Sequence, residues 1–474
     1  MPDGAQDRTR KLVRGAVLKT NPYPPFRFLN RLPYRWALRA VRKIARTIPE
    51  IRSIAVRNGL ATEDWIPGLS DIDLLAIVSE HLDAEREFAV VDSFRASYLQ
   101  LQRTFPMLGE LVMLAEDDID AWLPTATFTP TPGKLPLTTI HGVPIELPEE
   151  DSPRWRENAL NIALWIYLDL LPPCLSQPPG YLREQDSARR TRKIARLVAP
   201  LVGPAVADAA AAGVAGAVKI MEAAVRSIDS NTFRDRPDPS WFPRARNRCQ
   251  FAESSAAGFP GVQSIVEFSG RTLVVVPDGF PLERLREILA GVECFGPSAL
   301  PLACNTFAYM VRRYDPHAYR SLFEERTVLW GADPLAEIDP PGRLDFASYA
   351  ESRGAWIISF TRGEEIFQTP LLLREFENEI ERAMELRYAL GANWVHPDRS
   401  ETGRRWRSEF PEHAEAVRRI REHAENGREL EARRAAFFLF RSLLPELRQL
   451  LESSDERVSR SLTSPGRHGR PNAI

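Results

Sequence analysis

Two aspartates one residue apart, Asp71 and Asp73, interrupt "PGLSDIDLLAIV", a run otherwise apolar enough for a buried strand. Ionised carboxylates are costly to bury without a partner, and two set close together repel each other. On an extended strand alternate side chains share a face. Asp71 and Asp73 therefore point one way, Ile72 and Leu74 the other. A hard divalent cation between the carboxylates answers both problems. Mg²⁺ takes oxygen ligands and keeps its remaining positions for water and phosphate. Asp71 and Asp73 are the expected metal ligands, and the chemistry they suggest is metal-assisted transfer of a phosphoryl or nucleotidyl group. The bland alternative is a polar strand end that simply faces water.

Neighbouring residues suit a bound anion. Gly59 closes the preceding strand "IRSIAVRNG" and lets backbone come close to a bulky group. Ser70, directly before the pair, offers a hydroxyl and an N–H to the same region.

The elements that must hold these residues read as helix, strand, strand, helix, strand. A helix is expected from "LPYRWALRAVRKIARTI", with Pro33 in its first turn and Ala37, Leu38, Val41, Ile44, Ala45 and Ile48 on one face. "IRSIAVRNG" and "DIDLLAIV" follow as strands. "DAEREFAVVDSFRASYLQLQRTFP" is a helix striped by Phe88, Val91, Phe94, Tyr98 and Leu101, and "GELVMLAE" is a third strand. This order describes a small mixed sheet with helices.

Together, these features resemble the polymerase-beta-like nucleotidyltransferase superfamily. Its pattern is a strand, a glycine turn, a spacer, then Asp-x-Asp framed by apolar residues. Here Gly59-Leu60 is followed by residues 61–70 and then Asp71-Ile72-Asp73-Leu74. Within the superfamily, "PGLSDIDLL" looks most like the aminoglycoside adenylyltransferases, and the likeness spans residues 32–122. It implies a Mg²⁺-dependent enzyme, with two metals possible, that moves AMP from ATP, or another nucleoside monophosphate from its triphosphate, onto a hydroxyl and releases pyrophosphate. It also implies a third carboxylate on a later strand. Glu110 matches best, as general base or metal ligand. Glu116, Asp117 and Asp118 are rivals that read as a solvated helix start. Leu60 departs from the family's second small residue, which leaves triphosphate binding to backbone N–H groups, Ser70, Arg57 and Asn58. The basic run "SARRTRKIARL" adds Arg189, Arg190, Arg192 and above all Lys193, although a charged helix face is usually only solvated.

The whole chain reads as α+β. An N-terminal arm (1–30) and a nucleotidyltransferase domain (31–150) are followed by a helical domain (151–245) and a second small α/β unit (246–345). A C-terminal helical region (346–455) and a disordered tail (456–474) complete it. The proline- and threonine-rich stretch before residue 150 is taken as a linker, and "TRGEE" and "WGADP" receive no role. A net charge of -2 gives no global field toward nucleic acid. Four scattered cysteines form no metal or disulfide pattern and suit a reducing cytoplasm. The apolar windows 159–175 and 435–451 are read as core helices, broken before the ~20 residues of a membrane span. The expected partners are a nucleoside triphosphate and a small-molecule acceptor, with neither nucleic acid nor membrane. A protein side chain as acceptor, or nucleotide sensing without turnover, are the alternatives. Nothing in the sequence fixes the oligomeric state.

Overall fold

The computed structural model describes residues 15–61, 65–125, 137–145, 153–176, 181–203, 206–228, 238, 240–243, 249–251, 259–291 and 299–463. Its first helix, α1 (Pro24–Ala45), opens with proline at N1 and ends with Arg42 and Lys43 in the last turn, where cations complement the helix dipole. Tyr34, Ala37, Val41 and Ala45 form its buried face. The arm expected over residues 1–30 is thus corrected from residue 15 onward. Residues 15–20 are helical, Leu18 is buried, and α1 begins at Pro24. Pro33 lies inside the helix instead of starting it. Residues 1–14 lie outside the described residues.

Four strands follow: β1 (Ile51–Arg57), β2 (Ile72–Val78), β3 (Leu108–Ala115) and β4 (Leu137–Gly142). The sheet order is β3-β2-β1-β4. β1 is antiparallel to both neighbours, whereas β2 and β3 are parallel. A parallel pair needs a crossover, and α2 (Ala84–Thr104) supplies it. The Asp83 carboxylate caps α2 by accepting from the Arg86 N–H at 2.8 Å, and Phe88, Val91, Phe94 and Tyr98 are buried along the expected stripe. β4 corrects the reading of its stretch as linker. "LTTIHG" is a partly exposed edge strand, so its alternation carries little apolar signal between the flanking prolines.

The second half contains α3 (Pro153–Ser176), α4 (Tyr181–Val202) and α5 (Val214–Ser227). Its five-stranded sheet consists of β5 (Cys249–Phe251), β6 (Ser264–Phe268), β7 (Arg271–Val276), β8 (Leu300–Ala303) and β9 (Arg326–Gly331), in the order β5-β9-β6-β7-β8. The three helices and β6–β9 share one hydrophobic core. The boundary expected at 245 therefore falls within a packed unit. Among the described residues one segment, Glu157–Leu175 in α3, is long and apolar enough to cross a membrane, and about two-thirds of it is buried in this protein.

The C-terminal helices include α6 (Gly354–Phe360), α7 (Leu373–Leu386), α8 (Arg399–Glu409), α9 (Pro411–Glu425) and α10 (Glu429–Thr463). They pack into the same core as β1–β3, α1 and α2. Phe437 meets Phe88 edge-on at 5.5 Å, and Phe440 meets Phe360 at 4.9 Å. The disordered tail is corrected over residues 456–463, which continue α10. Residues 464–474 lie outside the described residues. The fold is mixed α and β, with two small sheets among many helices and two cores. The segment spanning the second core is inserted between the two parts of the first.

Candidate active site

Asp71 and Asp73 are delivered by a turn. Leu69 N–H donates to the Ile66 carbonyl at 2.9 Å, with Pro67 and Gly68 at the centre. Gly68 has φ +87, the position in a type II turn that wants glycine. The Ser70 hydroxyl accepts from the Ile66 N–H at 3.0 Å and its carbonyl accepts from the Tyr34 hydroxyl at 2.8 Å. Tyr34 also accepts from the Gly68 N–H at 3.0 Å. Ser70 is buried. Its observed work is to brace the turn that leads into β2.

The junction of β2 and β3 is irregular at the acids. Ile72 pairs with Leu108, and Leu74 pairs with Leu111. A single residue, Asp73, thus stands opposite two, Gly109 and Glu110. Such bulges bend a strand and re-aim its side chains. The Glu110 N–H donates to Asp73 Oδ1 at 3.4 Å. Gly109 is required by space: a Cβ there would lie 2.7 Å from Asp73 Oδ1 and 2.9 Å from Asp71 Cβ. Both aspartates therefore crowd onto one glycine. From α2, the Tyr98 hydroxyl and the Gln102 side-chain amide donate to the Gly109 carbonyl at 3.1 and 2.9 Å. Burial, with Asp73 adding to it, raises the Tyr98 hydroxyl well above its ordinary pKa, so it stays a donor.

Glu110 is the expected third acid that the structure brings to Asp73. Arg57, buried at the end of β1, donates to Glu110 Oε2. The rivals sit elsewhere. Glu116 accepts from the Glu80 N–H at 3.1 Å, Asp117 pairs with Arg448 at 3.3 Å, and Asp118 is buried against Arg362. All three follow Ala115, at the opposite end of β3 from Glu110. The two aspartates suit a metal as a pair of hard oxygen donors held by one glycine cradle. Among the described residues no group of three or more His, Cys, Asp or Glu side chains is arranged to hold a metal ion.

The inserted helical unit reaches the same place. Lys193 on α4 is pulled down to about 8, first by burial, with Asp73 opposing and Arg189, Arg57 and Arg196 reinforcing. Asp73 and three arginines thus lie within electrostatic range of Lys193. Arg190 is tied to Asp186 at 2.9 Å and to Asp169, and Arg192 is exposed. Gly59 lies in a short 3₁₀ turn, Asn58–Leu60, where the Asn58 side chain lies outside the described residues. Leu60 packs partly buried against the first core and lines a cavity of about 380 Å³ with Tyr34, Val56 and Trp65.

Sequence reasoning missed Gly109, Tyr98, Arg196 and Arg95. Arg95 is buried and donates to the Leu111 carbonyl at 3.1 Å, beside Glu110, and burial brings its guanidinium down to about 10. "GE" at 109–110 was the available signal, since glycine beginning a strand marks close approach. Compared with protein-family models, curated proteins and solved structures, the chain matches none.

Proposed function

We propose that the protein is a nucleotidyltransferase, transferring a nucleoside monophosphate, AMP from ATP in the simplest case, to a hydroxyl of a small-molecule acceptor. The observation that carries this reading is the bulge at Asp73, which gathers Asp71, Asp73 and Glu110 at one strand end, with Lys193 of a basic helix within electrostatic range of Asp73. A Mg²⁺ held by Asp71 and Asp73 would neutralise charge on the triphosphate. Lys193 and Arg189 would receive the phosphate oxygens, Arg as a fork and Lys as a point charge. Glu110 would take the proton of the attacking hydroxyl. The hydroxyl oxygen forms a bond to the α-phosphorus, the bond to the β-bridging oxygen breaks, and pyrophosphate leaves.

A second reading, nucleotide binding without turnover, is favoured by the Arg57–Glu110 pair and by Leu60. A Glu110 carboxylate engaged by Arg57 must release it before accepting a proton. Calorimetric titration with ATP and Mg²⁺, then pyrophosphate release over an acceptor panel, separates the two. Asp73→Asn is expected to lower turnover by about 10²–10³-fold and to leave the melting transition in place. Turnover equal to the parent's in that variant would remove the catalytic reading.

A further inference from the structure

The outer face of α1 combines two properties that seldom coincide on an exposed helix. Residues 15–49 contain eight basic side chains, Lys19, Arg27, Arg31, Arg35, Arg39, Arg42, Lys43 and Arg46, and no Asp or Glu. Among the described residues none of the eight forms an ion pair with an acid. The arginines of α9 behave differently: Arg418 pairs with Glu415 and Glu422, and Arg421 with Glu377. The second property is apolar. Tyr23, Phe26, Phe28, Leu29 and Trp36 are 49% to 62% exposed. Large apolar side chains left exposed this close together in the chain mark a contact surface.

The helical repeat of 3.6 residues sorts these groups. Phe28, Arg35, Arg39, Arg42 and Arg46 fall along one stripe, with Leu29, Trp36 and Lys43 along the next. The buried face is a third, carrying Tyr34, Ala37, Val41 and Ala45. Residues 22–29 are exposed all round, so the first turns of α1 project beyond the core. The positive potential is felt at the sheet edge. His141 on β4 is held below the usual imidazolium range, first by burial and then by Arg46 and Arg42.

We propose that α1 seats the protein on an anionic phospholipid bilayer, its Phe26, Leu29 and Trp36 side chains entering the headgroup boundary while its arginines hold lipid phosphates. Amphipathic helices of this composition lie in the interface plane, and each basic residue near an anionic surface adds attraction. A single-stranded nucleic acid fits less well. Leu29 offers no stacking face, and the Phe28 ring carries the Arg35 guanidinium over it at 5.7 Å. The proposal is independent of the nucleotidyl-transfer reading. It also departs from the sequence-level expectation of no membrane partner, which considered only segments long enough to span.

The test is sedimentation of the full-length protein with phosphatidylcholine vesicles, with and without phosphatidylglycerol. The protein is expected to pellet with the anionic vesicles alone and to be released by raised salt. The triple variants Phe26→Ser/Leu29→Ser/Trp36→Ser and Arg35→Glu/Arg39→Glu/Arg42→Glu are each expected to lower the partition coefficient by at least about tenfold, with unchanged circular dichroism melting because the altered side chains are exposed. Equal pelleting with neutral and anionic vesicles, no pelleting with either, or parental binding by the charge-reversal variant overturns the proposal. So does tighter binding of a single-stranded RNA oligonucleotide than of anionic vesicles at the same salt.

Discussion

Arg57 and Glu110 are joined across the strand that carries Asp73: one ends β1, the other lies near the start of β3, and β2 runs between them. Val56 and Leu111 both pair with Leu74, which sets Arg57, Asp73 and Glu110 in a row over three strands. Glu110 is 46% exposed and Arg57 3%, so the acid faces solvent while its partner lies beneath. If Glu110 is the base, Glu110→Gln lowers kcat by about 10²–10⁴-fold and leaves ATP affinity near the parental value. A purely structural pair gives the opposite split, with turnover kept and about 1–3 kcal/mol of stability lost. Steady-state kinetics beside urea denaturation reads both.

Gly109→Ala probes the bulge with a single methyl group. Its Cβ would sit 2.7 Å from Asp73 Oδ1, well inside van der Waals contact, so Asp73 or the start of β3 must move. Overpacking of this size costs about 1–3 kcal/mol, and a 1 Å displacement of a reacting group costs about 10²-fold in rate. The expected result is a modest fall in denaturation midpoint with a much larger fall in kcat/KM. Equal activity in the alanine variant would show that the cradle is not needed for turnover.

Lys193 predicts a pH signature. Its ammonium titrates at about 8 because burial disfavours the charge, so phosphate affinity through Lys193 declines as pH rises through about 8. Lys193→Arg keeps the charge and is expected to flatten that limb of the ATP-binding profile. The stability effect has the reverse sense. The folded protein penalises a proton that the unfolded chain binds freely, so the penalty is complete below about pH 8 and is relieved as pH rises toward the ordinary lysine value. Binding isotherms against pH, compared with melting curves over the same range, separate the two.

Arg362 holds the first core together from its far segment. It is buried between Glu87 on α2 and Asp118 after β3. Arg441 from α10 also reaches Glu87, at 2.6 Å, and Arg448 reaches Asp118 at 3.5 Å. Removing one member of such a network leaves a buried charge uncompensated. Arg362→Met is expected to destabilise by about 3–5 kcal/mol, measured by urea denaturation. The arginine lies in "TRGEE", where a glycine turn reading assigned no role; nothing in local spacing tells a central cation from a solvated one.

Legibility in the sequence followed the strength of local pattern. β1, β2, α2 and β3 stand where apolar runs and a helical stripe placed them, because the three strands are buried along most of their length and α2 turns one face to the core. Asp71 and Asp73 were named from residue type and order and Glu110 and Lys193 from the family resemblance; the fold sets Glu110 beside Asp73 and Lys193 within its electrostatic range. Tertiary contacts were not legible. β4 earned its place only by pairing with β1, and Gly109 is explained by atoms thirty-odd residues away. The alternating helices and strands of the second half looked like two units because no periodicity reports which faces meet.

The division of the first core has a consequence for synthesis. β1–β3 complete their burial only when Phe437 and Phe440, made much later than the strands, have joined them. Until then the nascent sheet must be shielded or wait, while the inserted unit already has every residue it requires. A chain stopped before Glu429 should therefore leave the ribosome with the inserted unit folded and the sheet of β1–β3 prone to aggregation.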